Sequence, residues 1–455
     1  MSKVIKLKKG FDIKLAGKAT LQTGEVEHPE LFALKPDDFP GFLRPKELVK
    51  QGDTVKAGTP ILFDKKMPDI KYCAPVSGEI VEVKRGEKRK LLEVKILADK
   101  TMEYESFPSH SMADLSSLSR EVCQDLMLKS GVWPNIIQRP YGIVANPADT
   151  PKAIFISAFD SHPLAPDYDY LFKNNEVYIK AGIEIIRKFT DEDVNIGLNA
   201  DGEVSSVFSN LENVKTHKFS GPHPSGNVGI QIHHINPINK NERVWTLDPW
   251  GLVQIGRLFI EGKYDTEKLF AVAGSEVKEP KYYKTYVGAC INKFVDGNLN
   301  NDHIRFISGN VLTGSKIEKD GFLGFYDHLL TVIPEGDYYE LFGWIAPSTK
   351  KLSLQSAIGL FSFLNKKDFK LDTNTRGQHR AFVQTGVFEK LLPMDVFPVF
   401  LLKAIMAEDF DNMEALGIYE VIEEDFALCE FADVSKHDVQ AIIRDGINLM
   451  RESEV

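Results

Sequence analysis

Residues 48–66, LVKQGDTVKAGTPILFDKK, lead into residues 73–94, CAPVSGEIVEVKRGEKRKLLEV. Val49, Gly52-Asp53, Val55 and Gly58 place a tight turn between two short strands, and Ala74-Pro75 with Ser77-Gly78 marks a second reversal. Ile80, Val81 and Val83, then Leu91, Leu92 and Val94, are β-rich runs on either side of a hairpin tip at Arg85-Gly86-Glu87. Glycine recurs at the reversals because it takes positive φ without the clash a β-carbon meets. Short strands with such close turns predict a small, flattened barrel.

That pattern resembles the biotinyl/lipoyl hammerhead, a scaffold for swinging cofactor arms. Carriers present one modified lysine at a two-residue hairpin tip. Here the corresponding segment, FDKKMPDIKY at 63–72, reads as a longer tip holding two lysines, Lys65 and Lys66, and Pro68. A structural hammerhead is therefore favoured, with a biotin or lipoyl carrier as the alternative.

A chain of 455 residues has room for three or four domains. Its net charge of −10 argues against a nucleic-acid partner, which needs clustered lysine and arginine to neutralise phosphate. No apolar run reaches the roughly 18 residues of a membrane span. The best, VFPVFLLKAIMA at 396–407, is interrupted by Lys403. The opening MSKVIKLKKGFDIKL has no apolar segment behind its charges, so it does not read as a signal peptide. Cys73, Cys123, Cys290 and Cys429 are too scattered for a CxxC unit, zinc knuckle or iron–sulfur motif. They read as reduced, buried thiols of a cytoplasmic protein.

Upstream of the hammerhead, alternation in KVIKLKKGFDIKL at 3–15 predicts a first strand. HPELFALKPDDFPGFLRP at 28–45 follows as a loop with Phe32, Phe39 and Phe42. Downstream, residues 109–131 predict one helix, capped by Asp114, with Leu115, Leu118, Val122 and Leu126 as its stripe and Gly131 as its stop. VWPNIIQRPYGIVANPADTP at 132–151 reads as irregular and carries Trp133 and Tyr141. Residues 152–260 then alternate strands (KAIFISAF, VNIGLNA, NVKTHKF) with helices (IKAGIEIIRKF, WGLVQIGRLFIEG), the signature of a Rossmann-like sheet. Its nucleotide fingerprint is missing, because DSHPLAPDYDY rather than GxGxxG follows the first strand.

LFAVAG, HIRFISG and GFYDHLLTVI around GACINKFV suit a small β-grasp (SLBB-like) domain. Residues 380–455 suit a helical bundle, with Asp395 capping a helix that bears Leu401, Leu402 and Ile405. Val439, Ile442, Ile443, Ile447 and Met450 line the last helix. The chain thus reads as α/β multidomain, divided at 1–101, 102–260, 261–335 and 336–455.

This series resembles the A subunit of the sodium-translocating NADH:quinone oxidoreductase. Six segments carry the likeness in order. They are FDKKMPDIKYCAPVSGEIVEVKRGEKR, KAIFISAFDSHPLAPD, FSGPHPSGNVGIQIHHINPI, FISGNVLTGS, ELFGWIAP, and LPMDVFP before LGIYEVIEEDFALCEF. That family is similar in turn to the flavin-binding subunit of respiratory complex I, and to the Rnf complex C subunit. Those relatives bind FMN on a glycine-rich loop and iron–sulfur clusters on cysteines. Here GVWPNIIQRPYG stands in place of the loop, and Cys429 stands alone in EVIEEDFALCEFADVSKHD.

The resemblance implies a chain with no redox cofactor of its own, FMN, FAD and Fe-S centres belonging to partner subunits. It implies a six-subunit membrane complex in which the B subunit is the principal partner. It also implies quinone as substrate and the cytoplasmic face of the bacterial inner membrane. An FMN- or NAD-dependent dehydrogenase subunit is the other reading of the α/β series.

Other constellations read as structural. His223 with His233-His234 evokes a metal site, but adjacent histidines splay apart in a strand or a helix. KRGEKRK at 84–90 reads as a solvated tip, or as a contact for acidic partners or anionic headgroups, and EEDFALCEF as a solvated face. No catalytic set emerges from the spacing. A quinone needs aromatic walls and a donor or two, which Phe39, Phe42, Trp133 and Tyr141 offer with Arg44 and Arg139 nearby.

Overall fold

Strand Ala153–Ser157 lies at the centre of a seven-stranded sheet. On one side come Val194–Asn199, Lys215–Ser220 and Val4–Lys6, all parallel; on the other, Val244–Leu247, also parallel, then the antiparallel hairpin Ile137–Arg139 and Ile143–Val144. The central strands are continuous apolar runs because both faces are covered. Helices Glu176–Ile186 and Pro249–Glu261 cross closely on one face. Glycine makes that crossing possible: a β-carbon at Gly182 would collide with the Leu252 carbonyl, and one at Gly256 with the Tyr178 carbonyl. Gly262, at φ 66°, ends the second helix. The computed structural model describes residues 4–203, 205–340, 351–352, 354, 368–382 and 386–453.

The predicted strands and helices of residues 152–260 are present, and further elements join them, among them the short helix Tyr168–Leu171. Helix Val228–Ile235 is masked by its glycine and paired histidines, and strand Val244–Leu247 is only four residues between Arg243 and Asp248-Pro249, too short a run to show a period. The segment read as irregular, 132–151, instead supplies the sheet's antiparallel edge hairpin. The helix expected over 109–131 is two helices, Met112–Leu115 capped by Ser111 and Arg120–Ser130 capped by Ser119. Asp114 is therefore the third residue of a capping box, not the cap. The second helix buries Cys123 and Met127, while Val122 faces solvent.

Residues 31–98 form two small stacked sheets. One orders Leu31–Leu34, Leu91–Ala98, Gly78–Arg85 and Thr54–Val55; the other orders Pro45–Glu47, Pro60–Asp64 and Met67–Cys73. The tip expected to be long is short. Asp64 pairs with Met67 across the two-residue turn Lys65-Lys66, and Pro68 sits within the following strand beside a register shift.

The first strand leaves this unit. Val4–Lys6 pairs with Lys215–Ser220 in the α/β sheet, and Thr23–Gly24 pairs with Lys281–Tyr286 at the edge of a six-stranded sheet. That sheet continues through Glu267–Ala273, Leu329–Pro334, Ile304–Ser308 and Ser315–Ile317. Short helices follow. Pro398–Met406 buries Leu401, Leu402 and Ile405, but its cap is Phe397; the Asp395 backbone N–H instead donates to His233. The last helix, Val439–Ser453, buries Val439, Ile443, Ile447 and Met450. Beyond Glu340, the motif ELFGWIAP lies outside the described residues. One apolar core runs through all these units.

Candidate functional site

The α/β sheet reverses its strand order between Ala153–Ser157 and Val244–Leu247. At such a switch point the loops leave in opposite directions and open a crevice past the strands' C-terminal ends. A cleft of about 310 Å³ lies there, bounded by Ser157, Asp160, Asn227, Asp248, His328 and Glu424 among others. Asp248 caps helix Pro249–Glu261 by accepting from the Trp250 N–H at 2.7 Å. Its second task is to bind two cleft side chains: Tyr168 donates to Oδ2 at 3.3 Å, and His328 Nε2 lies 3.0 Å from Oδ1. Burial first, then Asp248, raises the Tyr168 hydroxyl well above its usual range.

Across the cleft, Asp160 Oδ1 and His162 Nδ1 are 2.6 Å apart. Burial opposes charge on both, yet their attraction holds the Asp160 carboxyl low and lifts the imidazole. The neighbouring His223 ring, 4.5 Å from that of His162, is pushed down to about 3 by burial and by the nearby imidazolium, so it is neutral. Asn227 Oδ1 and His328 Nδ1 are buried without a hydrogen-bond partner among the described residues. The walls include Phe159, Tyr168 and Tyr326.

Charge decides what the cleft suits. Asp160, Asp248, Asp327 and Glu424 line it, and no lysine or arginine among the described residues does. Phosphate recognition needs cations or converging N–H groups.

The cluster 423–425 is not the solvated face expected of it. Arg139, buried, donates to Asp425 and Glu424 at 3.0 Å each, and Arg444 binds Glu423. The guanidinium offered as a quinone donor is thus committed to carboxylates, while Arg44 is exposed. The four rings expected as quinone walls pack against protein, Phe39 between units and the other three within their own. Phe39 meets Tyr72, Phe325 and Tyr326, and Phe42 stacks on Tyr72 at 4.2 Å. Trp133 is fully buried against Phe189 and Trp245, and Tyr141 lies under Arg243. The two segments do meet, since the Val144 N–H donates to the Pro40 carbonyl. Asn135 and Ile137 of the second reach the cleft, as does Tyr326, which touches Phe39.

His233 and His234 project from helix Val228–Ile235 as clamps. His233 Nδ1 meets Glu420 at 2.7 Å, its Nε2 accepts from Asp395, and His234 Nε2 donates to the Pro393 carbonyl. No group of three or more candidate ligands is placed to hold a metal among the described residues. All four cysteines are buried and unpaired, and burial pushes the Cys73 and Cys429 thiols up.

Three family models match this chain: the NqrA N-terminal barrel-sandwich hybrid domain at 5–99, the NqrA second alpha/beta domain at 118–264, and the NQRA C-terminal domain at 269–319. The A subunit of the Na(+)-translocating NADH-quinone reductase of Serratia proteamaculans is 36% identical over 99% of this chain and 100% of its own length. The A subunits of Neisseria meningitidis serogroup B (36%, 97% of this chain, 98% of its own) and Alcanivorax borkumensis (35%, 98% of each) are similar throughout. This chain belongs to the NqrA family. A chain of an NAD+-reducing [NiFe]-hydrogenase aligns with 77% of this chain and 67% of its own length at 12% identity and a TM-score of 0.35, too faint a likeness to carry an argument.

For an NqrA chain, the expected barrel-type N-terminal unit followed by an α/β unit stands. Sequence reasoning missed Asp248, His328 and Asn227, the residues that shape the cleft. Asp248, directly before Pro249, and Asn227, directly before Val228, sit at helix starts and carried a legible signal; His328 did not.

Proposed function

We propose that this chain is the peripheral A subunit of a sodium-pumping NADH:quinone reductase. It carries no redox cofactor itself and sits on the cytoplasmic face against the membrane B subunit. Full-length likeness to named A subunits supports membership of such a complex. No described helix is long and apolar enough to cross a membrane, which accords with attachment through partners. The observation that carries the cofactor-free reading is the cleft's charge. Flavin and nicotinamide nucleotides bring phosphate, and the cleft has no lysine or arginine among its described lining residues to hold it; Asp160 is matched by His162 and Glu424 by Arg139, so neither cation is free for it. Buried, uncharged thiols likewise offer nothing to iron.

Quinone is flat, apolar and phosphate-free. Phe159, Tyr168 and Tyr326 supply walls in the cleft, and Asn227 Oδ1 and His328 Nδ1 supply acceptors for the hydroxyls of a reduced ring. Phe39 packs against Tyr326, and Trp133 backs the adjoining hairpin, so these rings chosen from sequence stand behind this site. The test uses the assembled complex carrying Tyr326→Leu or His328→Gln. Quinone reduction should fall while electron transfer from NADH to an artificial acceptor persists. Unchanged quinone kinetics in both variants would remove the cleft from the quinone path. Stoichiometric FMN in the purified chain would overturn the cofactor-free reading.

A further inference from the structure

We propose that one face of the N-terminal barrel unit docks on an anionic lipid surface. The face is the outer side of the three-stranded sheet Pro45–Glu47, Pro60–Asp64 and Met67–Cys73. Register places Lys46, Phe63 and Lys71 in one cross-strand row. The ammonium groups of Lys46 and Lys71 lie 5.8 and 5.2 Å from the centre of the half-buried Phe63 ring. Just past Asp64, at the end of the strand that carries Phe63, the turn presents Lys65 and Lys66, both exposed. The Lys65 N–H donates to the Arg44 carbonyl at 3.1 Å, which brings Arg44 and Leu43 alongside the turn. Leu43 and Leu48 are 55% and 49% exposed.

Few carboxylates offset these five cations. Asp64 is buried, accepting from the Leu43 and Lys66 N–H groups, and Glu47 is paired with Arg85 at 2.7 Å. Only Asp69 remains exposed on these strands with its charge toward solvent. The Arg85 pairing also brings the basic tip at 84–90 to the edge of the same sheet. A chain of net charge −10 thus concentrates positive charge on and beside this sheet, with exposed Leu43 and Leu48 flanking strand Pro45–Glu47.

That combination favours a bilayer over other anionic partners. Lysines attract anionic headgroups, each adding to the binding, while leucine and phenylalanine enter the headgroup–acyl boundary. A nucleic acid has no use for the leucines, and the chain's overall charge opposes it. The proposal does not depend on the reading of the cleft.

The experiment is vesicle sedimentation of the purified full chain, with phosphatidylcholine vesicles and with vesicles containing phosphatidylglycerol. Binding should require phosphatidylglycerol and be released by high salt. K65E/K66E/K71E should lower partitioning about tenfold or more, and L43S/L48S should lower it too. F397S/F400S, at exposed positions beside and on helix Pro398–Met406, should partition as wild type. Unchanged thermal midpoints separate these effects from misfolding. Equal binding to both vesicle types, or a charge-reversed variant that binds as wild type, would overturn the proposal. So would a wild-type chain that binds no vesicle while K65E/K66E/K71E loses its place on partner-containing membranes; the face would then belong to an acidic protein.

Discussion

Arg139 Nη1 donates to Asp425 Oδ2 at 3.0 Å, joining groups 286 positions apart in the chain. Both side chains are almost wholly buried, so the pair is shielded from solvent and salt. It ties the C-terminal segment to the edge hairpin of the α/β sheet and sets Glu424 at the rim of the cleft.

Removing Arg139 leaves Asp425 charged and buried without a cation, whereas removing Asp425 leaves Arg139 still bound to Glu424. Arg139→Met should cost about 3–5 kcal/mol in denaturant unfolding, and Asp425→Asn less. Arg139→Met with Asp425→Leu should recover much of the loss. A double variant as unstable as the sum of the singles would show that the two groups act independently.

His223 sets an acid limit. Its folded pKa of about 3 lies below the ordinary imidazole value near 6.5. Between those values the unfolded chain binds a proton that the folded chain refuses, so this contribution to stability rises with pH there. It is fully present above about pH 6.5 and declines as acid is added. Unfolding midpoints measured from about pH 7 to about pH 4 should fall less steeply in His223→Asn than in the wild type, whatever the variant's absolute stability.

Gly256→Ala tests the helix crossing. Its β-carbon would meet the backbone carbonyl of Tyr178, which cannot swing aside as a side chain can. A loss of about 1–3 kcal/mol is expected, against a small gain from helix propensity at an uncrowded site. Stabilisation would mean that the helices separate freely.

Trp133→Ala distinguishes packing from quinone contact. Trp133 donates from Nε1 to the Ala145 carbonyl and is enclosed by Phe189 and Trp245. Stability should drop by about 3–5 kcal/mol. Complex assembled at low temperature should keep its KM for quinone. A raised KM with intact stability would put the ring in the quinone path.

Much of the fold was legible because its cues are local. The apolar strand Ala153–Ser157 and the helix ended by Gly262 announce themselves by period and stop residue. Helix Val228–Ile235 did not, because proline and glycine precede it and paired histidines close it. The cleft was legible least. Asp160, Asp248 and Glu424 become one lining only through strand order and a long-range ion pair, neither of which has a short-range signature. Likewise the turn at Lys65-Lys66 was hidden because Pro68 reads as loop, although it lies in an edge strand where its missing N–H is tolerated.

The strand Val4–Lys6 is made long before its partner Lys215–Ser220. At about 5–20 residues per second, the ribosome delivers that partner roughly 10–40 s later. Until then an unpaired strand edge is presented to chaperones and to other nascent chains. The α/β sheet therefore cannot be completed vectorially, and slowing translation between these strands should raise the demand for chaperones rather than relieve it.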